Sequence, residues 1–259
     1  MDLGISGRTA IVCASSKGLG RGAALALAQA GCTVIINGRD AVSLEATAVA
    51  LRAATGATII PVVADVSTRA GQDALLAAAP NIGILVNNNG GPPPKSYREV
   101  TREGLLEGVI QNMVTPIELT QRVLDGMVER GFGRIINITS MSVLTPLIGL
   151  DVSSGARAGL TAFLAGVARE VAHANVTINN VLPGMFDTDR LKGSTAKMAA
   201  MKGLTPEAMA AARKADVPAK RFGNAEEFGN LCAFLASQHA GYITGQNLLI
   251  DGGVFRGSF

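Results

Sequence analysis

Seven short runs rich in β-branched and aliphatic residues, Thr9–Cys13, Thr33–Asn37, Thr58–Ala64, Ile84–Asn88, Arg134–Thr139, Val176–Leu182 and Asn247–Ile250, alternate with long Ala- and Leu-rich segments of helical period. This alternation constrains the fold more than any other feature. Parallel strands cannot be joined by a tight turn, so each needs a crossover, and the crossover helices then cover both faces of the sheet. The expectation is one α/β domain over residues 1–259, a doubly wound, seven-stranded parallel sheet flanked by helices, with no linker, repeat or low-complexity stretch. A hydrophobic fraction of 48% can fill such a core, and 31 glycines with only 4% aromatics suit close helix-on-sheet packing by small residues, as in Ala23–Ala30.

Local signals place some boundaries. Gly31 is a C-terminal stop for the first helix, and Asp40 is an N-cap for the second, whose apolar positions are Val42, Leu44, Ala48 and Leu51. Pro61 removes a ladder donor, so the third strand is expected to begin after it. The least regular segment, Lys192–Val217, follows a strand. Ligands of open α/β sheets bind beyond the carboxyl ends of the strands, so residues 185–217 read either as a substrate lid or as a solvated helical hairpin.

Composition excludes several classes. A net charge of +3 without a basic run gives no support to nucleic-acid or membrane binding. Cys13, Cys32 and Cys232 are odd in number, far apart and set in apolar sequence, which predicts buried free thiols and no metal site. His173 and His239 read as structural. The start, Met1-Asp2-Leu3-Gly4, lacks a basic leader and the first apolar run is too short for a signal core, which makes the cytoplasm the expected location.

Directly after the first strand, Cys13-Ala14-Ser15-Ser16-Lys17-Gly18-Leu19-Gly20-Arg21 is a small-residue turn opening a helix. A pyrophosphate needs close backbone approach and the free N–H groups of a helix N-terminus, and Gly18 and Gly20 permit both, with Ser15, Ser16, Lys17 and Leu19 completing the turn. About twenty residues on, the second strand ends in Asn37-Gly38-Arg39-Asp40, where dinucleotide folds read the adenosine ribose. An acidic residue at the strand end would favour a free 2′-hydroxyl; Arg39, with Lys17 nearby, favours a 2′-phosphate and therefore NADP(H).

In order along nearly the whole chain, these residues resemble the short-chain dehydrogenase/reductase family, close to its 3-oxoacyl-(acyl-carrier-protein) reductase group. Cys13–Gly20 is similar to TGxxxGxG, with Cys13 for threonine and Ala14 for the first glycine. Asp65-Val66 resembles the pair that holds adenine, and Asn87-Asn88-Asn89-Gly90 resembles NNAG. The resemblance implies cofactor contacts from Asp65, Val66, Asn88, Asn89 and Gly90, and from Pro183, Gly184 and Thr188 over the nicotinamide. It also implies catalytic roles for Asn112 and Ser140, a Rossmann fold, NADP(H)-dependent hydride transfer between nicotinamide and a carbonyl or hydroxyl substrate, and a homotetramer or homodimer. Arg221-Phe222-Gly223, Thr244-Gly245-Gln246 and Asp251-Gly252-Gly253 are similar to the closing signature.

Two positions depart from the pattern. The family's tyrosine lies 13 residues after the serine and its lysine four further on; here those positions hold Ser153 and Arg157. A phenol can be tuned into an acid for the nascent alkoxide, whereas a serine hydroxyl is far weaker. Ser153 can still hydrogen-bond a substrate oxygen, and Arg157 can hold the nicotinamide ribose without readily relaying a proton. Only Tyr97 and Tyr242 exist in the chain. Three readings stay open: a reductase whose proton comes from water or from Lys95, Tyr97 or Asp151; an imine-type reductase that needs no strong acid; and a catalytically idle NADP(H)-binding sensor or assembly protein. The small-residue active-site helix suggests a small-molecule substrate with a bulky or acyl-thioester group.

Overall fold

The computed structural model describes residues 1–78 and 80–257. Seven strands, β1 (Thr9–Val12), β2 (Thr33–Gly38), β3 (Ile59–Val63), β4 (Ile82–Asn87), β5 (Gly133–Ile138), β6 (Val176–Pro183) and β7 (Asn247–Ile250), form one parallel sheet in the order β3-β2-β1-β4-β5-β6-β7. The helices are α1 (Gly18–Gln29), α2 (Ala41–Thr55), α3 (Arg69–Ala77), α4 (Arg102–Val109), α5 (Thr115–Glu129), α6 (Asp151–Val171), α7 (Asp189–Lys202), α8 (Pro206–Asp216) and α9 (Ala225–Ala236).

Residues two apart along a strand share a face, and two cores result. Ala10 and Val12 of β1, Ile84 and Val86 of β4 and Ile136 and Ile138 of β5 join α1, α2 and α9; Ile11, Cys13, Leu85 and Ile135 join α5 and α6. The first core depends on glycine. A Cβ on Gly22 of α1 would stand 2.0 Å from the Ala225 carbonyl oxygen, and one on Gly229 of α9 would stand 2.1 Å from that of Gly22, so these helices pack backbone to backbone.

Gly31 takes φ 83° after the C-cap Ala30, and the Asp40 carboxylate accepts from the Ser43 N–H, as expected. Two expectations need correction. Pro61 lies inside β3, opposite Ile36; β3 is one of the two edge strands, where a proline nitrogen can face solvent without breaking a ladder bond. Val42 is exposed, because in the first turn of α2 it lies on the side away from buried Leu44, Ala48 and Leu51. The three cysteines are buried free thiols, each pushed up to about 12, chiefly by burial. No described helix is long and apolar enough to cross a membrane.

The chain passes β1-β2-β3 in one direction and resumes at β4 on the other side of β1. Loops after β1 and β4 therefore diverge and leave a cleft above the carboxyl edge, the place where such sheets bind ligands.

Candidate active site

Adjacent to β1, the turn is fixed by a buried asparagine. The Asn37 N–H donates to Ser15 Oγ (2.9 Å), Asn37 Oδ1 accepts from the Ala14 N–H (3.3 Å), and Asn37 Nδ2 donates to the carbonyls of Val62 and Ala64. Ser15 Oγ donates in turn to the Val12 carbonyl, and the Ser15 N–H donates to the Asn37 carbonyl (2.7 Å), so both donors of Ser15 are spent inside the turn and the N–H groups left for a ligand are those that follow it. Ala14 is held at φ 43° and Gly18 at φ 58°. A Cβ on Gly20 would lie 2.5 Å from the Ala14 carbonyl oxygen and 2.9 Å from Asn88 Nδ2. The turn therefore fits a dinucleotide: its backbone is tightly coiled and α1 presents its N-terminal N–H groups without side-chain cover, since Lys17 makes no capping bond.

At the adenosine end the only carboxylate beside Arg39 in sequence, Asp40, is engaged at the N-terminus of α2, which holds its pKa below the usual range through the Ser43 bonds. It is not free for a ribose. Arg39 is 78% exposed and stands 3.8 Å from Asp65. Asp65 Oδ1 accepts from the Ser67 hydroxyl and N–H, which lower its pKa, and the next residue, Val66, is buried in the core.

Beyond β4, Asn88 Nδ2 donates to the Ala14 carbonyl (3.0 Å), tying the two loops of the cleft together. Asn89 Nδ2 donates to the Gln111 carbonyl and its Oδ1 accepts from the Gly90 N–H. Asn112 sits in a π-helical turn, Ile110–Val114, between α4 and α5, with Nδ2 bonded to the Gly108 carbonyl. Such a turn re-aims a side chain within a helix and recurs at functional sites. Ser140 lies two residues beyond β5, as the N-cap of the 3-10 turn Met141–Val143, and its Oγ accepts from the Ser142 N–H.

Ser153 and Arg157 follow on one face of α6, one turn apart. Arg157 Nε donates to Ser153 Oγ (3.1 Å) and Nη1 to the Ile138 carbonyl (2.6 Å). Burial pulls the guanidinium down to about 10, with a smaller contribution from the like charge of Arg190. Arg157 borders a chamber of about 20 Å³ together with Asn87, Asn89, Asn112 and Thr115. Asn87 Oδ1, Asn112 Oδ1 and Thr115 Oγ1 are buried there without a hydrogen-bond partner. An unpaired buried acceptor costs about 1–3 kcal/mol, and the chamber has room for one water.

Pro183 ends β6, and Gly184 is required where the backbone approaches Asp251, whose Cβ would be 2.7 Å from an added Cβ. Thr188 caps α7 and lies over the glycine turn, 3.6 Å from where a Gly18 Cβ would stand. A second cavity, of about 100 Å³, is lined by Pro92, Pro93, Lys95, Val100, Leu150, Val152 and Ser153 among others. Lys95 thus reaches the site. Tyr97, 63% exposed with Arg98 over its ring, and Asp151, exposed in the first turn of α6, line neither cavity, and Tyr242 is fully exposed. His173 contacts the Glu170 carbonyl and His239 the Asp2 carbonyl, both away from the cleft. Among the described residues no group of three His, Cys, Asp or Glu could hold a metal.

Sequence reasoning missed a ladder of asparagines. Asn87, Asn137, Asn180 and Asn247 occupy paired positions on β4 to β7, with side-chain bonds of 2.9, 2.9 and 2.8 Å linking them in turn. The signal was present as four asparagines in otherwise aliphatic strands.

A family model described as enoyl-(acyl carrier protein) reductase matches residues 13–255. The chain belongs to the short-chain dehydrogenase/reductase family. Membership makes it an oxidoreductase of the nicotinamide-dependent class. It is 31% identical to 3-oxoacyl-(acyl-carrier-protein) reductase FabG of Aquifex aeolicus over 98% of this chain and 100% of that protein, and 31% identical to the NADPH-dependent reductase BacG of Bacillus subtilis over 96% and 98%. Among solved structures, L-sorbose reductase of Gluconobacter frateurii, complexed with NADPH and L-sorbose, superposes with a TM-score of 0.93 at 28% identity, covering 99% of this chain and 100% of that one.

Proposed function

We propose that this chain is an NADP(H)-dependent carbonyl reductase that stabilises the nascent oxyanion with two serine hydroxyls and a fixed buried cation instead of a titrating phenol. The observation that carries this reading is the bond from Arg157 Nε to Ser153 Oγ. Because Ser153 accepts from the guanidinium, its own hydrogen is left to donate toward a substrate oxygen, with a cation behind it. Ser140 Oγ accepts from the Ser142 N–H in the same way and keeps its hydrogen for the substrate. Two such donors meeting one substrate oxygen would form an oxyanion hole.

Ser16 to Gly20 would hold the pyrophosphate, Arg39 and Lys17 the 2′-phosphate, Asp65 and Val66 the adenine, and Asn88 to Gly90, Arg157, Pro183, Gly184 and Thr188 the nicotinamide half. NADPH supplies the hydride when bound. As the carbonyl carbon gains that hydride, the π electron pair moves to oxygen, where Ser140, Ser153 and Arg157 hold the charge. Water then protonates the alkoxide and departs as hydroxide, which solvent buffer neutralises; the orphaned Asn112 Oδ1 and Thr115 Oγ1 offer that water a seat beside Arg157. Residues 185–217, stapled internally by Arg213 Nη1 to Ser194 and Thr195, act as the lid. Exposed Leu105, Leu106 and Ile110 on and beside α4 and Phe163 on α6 are the apolar surface for homo-oligomerisation. An iminium substrate is disfavoured, since Arg157 would repel its charge.

The test is an NADPH titration followed by NADPH oxidation across ketones, 3-oxoacyl thioesters and imines. Turnover of a carbonyl compound, with NADPH preferred over NADH, is the expected result. Tight NADPH binding without turnover of any class would favour the sensor, and imine-only turnover would replace the carbonyl reading.

A further inference from the structure

Two buried arginines at opposite ends of the sheet show what this fold does with a guanidinium, and only one of them is complete. Arg134, on β5, donates from Nε to the Ser237 carbonyl, from Nη1 to the carbonyls of Gly133 and Asn175, and from Nη2 to Asn175 Oδ1, and its guanidinium stacks on Phe132 at 4.4 Å. Every nitrogen is occupied. No carboxylate is needed, because carbonyl oxygens and an aromatic face replace the lost water.

Arg157 is equally buried but makes only the two bonds to Ser153 and Ile138. Its Nη2 has no partner, and no carboxylate pairs with it among the described residues. The chamber it borders is lined by amides, a hydroxyl and apolar groups, with no acid. A guanidinium carries five N–H donors, and Nη2 is not among the sealed atoms of the interior, so this buried side chain keeps one nitrogen open to solvent or a ligand.

A second guanidinium reaches the same loop from the other side. Arg190, second residue of α7, runs back to the segment after β4, where a Cβ on Gly91 would stand 2.8 Å from Nη2 and 3.0 Å from Nη1. Asn89, two residues earlier in that loop, shares the chamber with Arg157. Arg190 makes no hydrogen bond or ion pair among the described residues; its neighbour Asp187 is paired with Lys192 instead. The residue is open to solvent on one side, yet enough protein surrounds it to lower its pKa through desolvation. A cation at the start of a helix is also opposed by the helix dipole. Two arginines without acids, one of them disfavoured where it stands, flank one loop of the reacting end.

Resting on the carbonyl-reductase reading, we infer that the substrate carries a carboxylate, received by Arg190 beside Gly91 while Arg157 keeps its place behind Ser153, and that its apolar remainder enters the cavity lined by Pro92, Pro93, Val100, Leu150 and Val152. The substrate class is then an oxo acid with an apolar tail. The same oxyanion chemistry exists in the cofactor's pyrophosphate, and the test separates the two sources.

Benzoylformate and its methyl ester are compared as substrates of the wild type, Arg190→Gln and Arg190→Lys, with NADPH affinity measured alongside by fluorescence. In parallel, the melting temperature of the NADPH-loaded protein is followed with benzoate or benzamide, which cannot be reduced. The acid should exceed the ester in kcat/KM by roughly tenfold to a hundredfold, the weight of one charge-assisted bond. Arg190→Gln should erase that preference by raising KM for the acid alone, Arg190→Lys should restore part of it, and benzoate should raise the melting temperature where benzamide does not. Equal use of acid and ester, or no stabilisation by benzoate, would overturn the inference. So would an Arg190→Gln variant that weakens NADPH and both substrates by one factor, because the guanidinium would then serve the cofactor. Benzoate stabilisation that depends on Arg190, with no carbonyl turnover, would keep the anion site and overturn the reductase reading instead.

Discussion

The two halves of the cleft are built from different material. At the pyrophosphate end the work is done by backbone: Ala14 and Gly18 in left-handed conformations, Gly20 pressed against the Ala14 carbonyl, and Asn37 bonding the turn from beneath. Few sequences satisfy such geometry, so the motif survives even with Cys13 and Ala14 in unusual places. At the reacting end the work is done by side chains on already stable elements. Exchanging tyrosine and lysine for Ser153 and Arg157 leaves α6 intact from Asp151 to Val171. Binding is thus written into the fold, while chemistry is written on it and can be replaced without disturbing it.

Variants can break this contrast. Gly20→Val should cause the largest loss, more than about a hundredfold in NADPH affinity, because a Cβ there meets a carbonyl that cannot move; isothermal titration reads it, with circular dichroism confirming the fold. Arg157→Ala should lower kcat by roughly a hundredfold to a thousandfold, the usual cost of removing a transition-state donor, with Arg157→Lys recovering part. Arg39→Ser should reduce the NADPH-over-NADH preference by about tenfold or more, one charge-assisted bond's worth, and leave kcat unchanged. Ser153→Tyr with Arg157→Lys should raise ketone reduction severalfold; no gain would mean that the reacting half has been rebuilt beyond those two positions. The smallest effect belongs to Asn180→Val, which interrupts the asparagine ladder: about 1–3 kcal/mol of stability by denaturant unfolding, with NADPH affinity retained.

Much of this was legible in sequence because it is local. Gly31, Asp40 and the glycine turn declare themselves within a few residues, and the buried thiols follow from their apolar surroundings. Pro61 misled because edge position is a property of strand order, which no single strand carries. The asparagine ladder was hidden for a related reason: each Asn is a weak strand former alone, and only the parallel register brings the four side chains into line. Ser153 and Arg157 were readable as substitutions, but the bond between them, the chamber of orphaned acceptors and the approach of Arg190 to Gly91 depend on α6, the π-helical turn and α7 meeting at one loop.

The central claim is that the reacting half works with a fixed cation and no titrating acid. Its most direct test is the pH dependence of single-turnover NADPH oxidation with the best carbonyl substrate from the panel. The working form of Arg157 is the charged one and burial lowers its pKa to about 10, so the rate should be flat through neutral pH and fall only as pH rises toward that value. Folding stability shifts in the opposite sense there, since the native state gives up this proton before the unfolded chain does. A flat profile ending near 10 in the wild type is the predicted result. A rate that titrates with an ionisation between about 6 and 8, the range of a tuned acid or base, would contradict it.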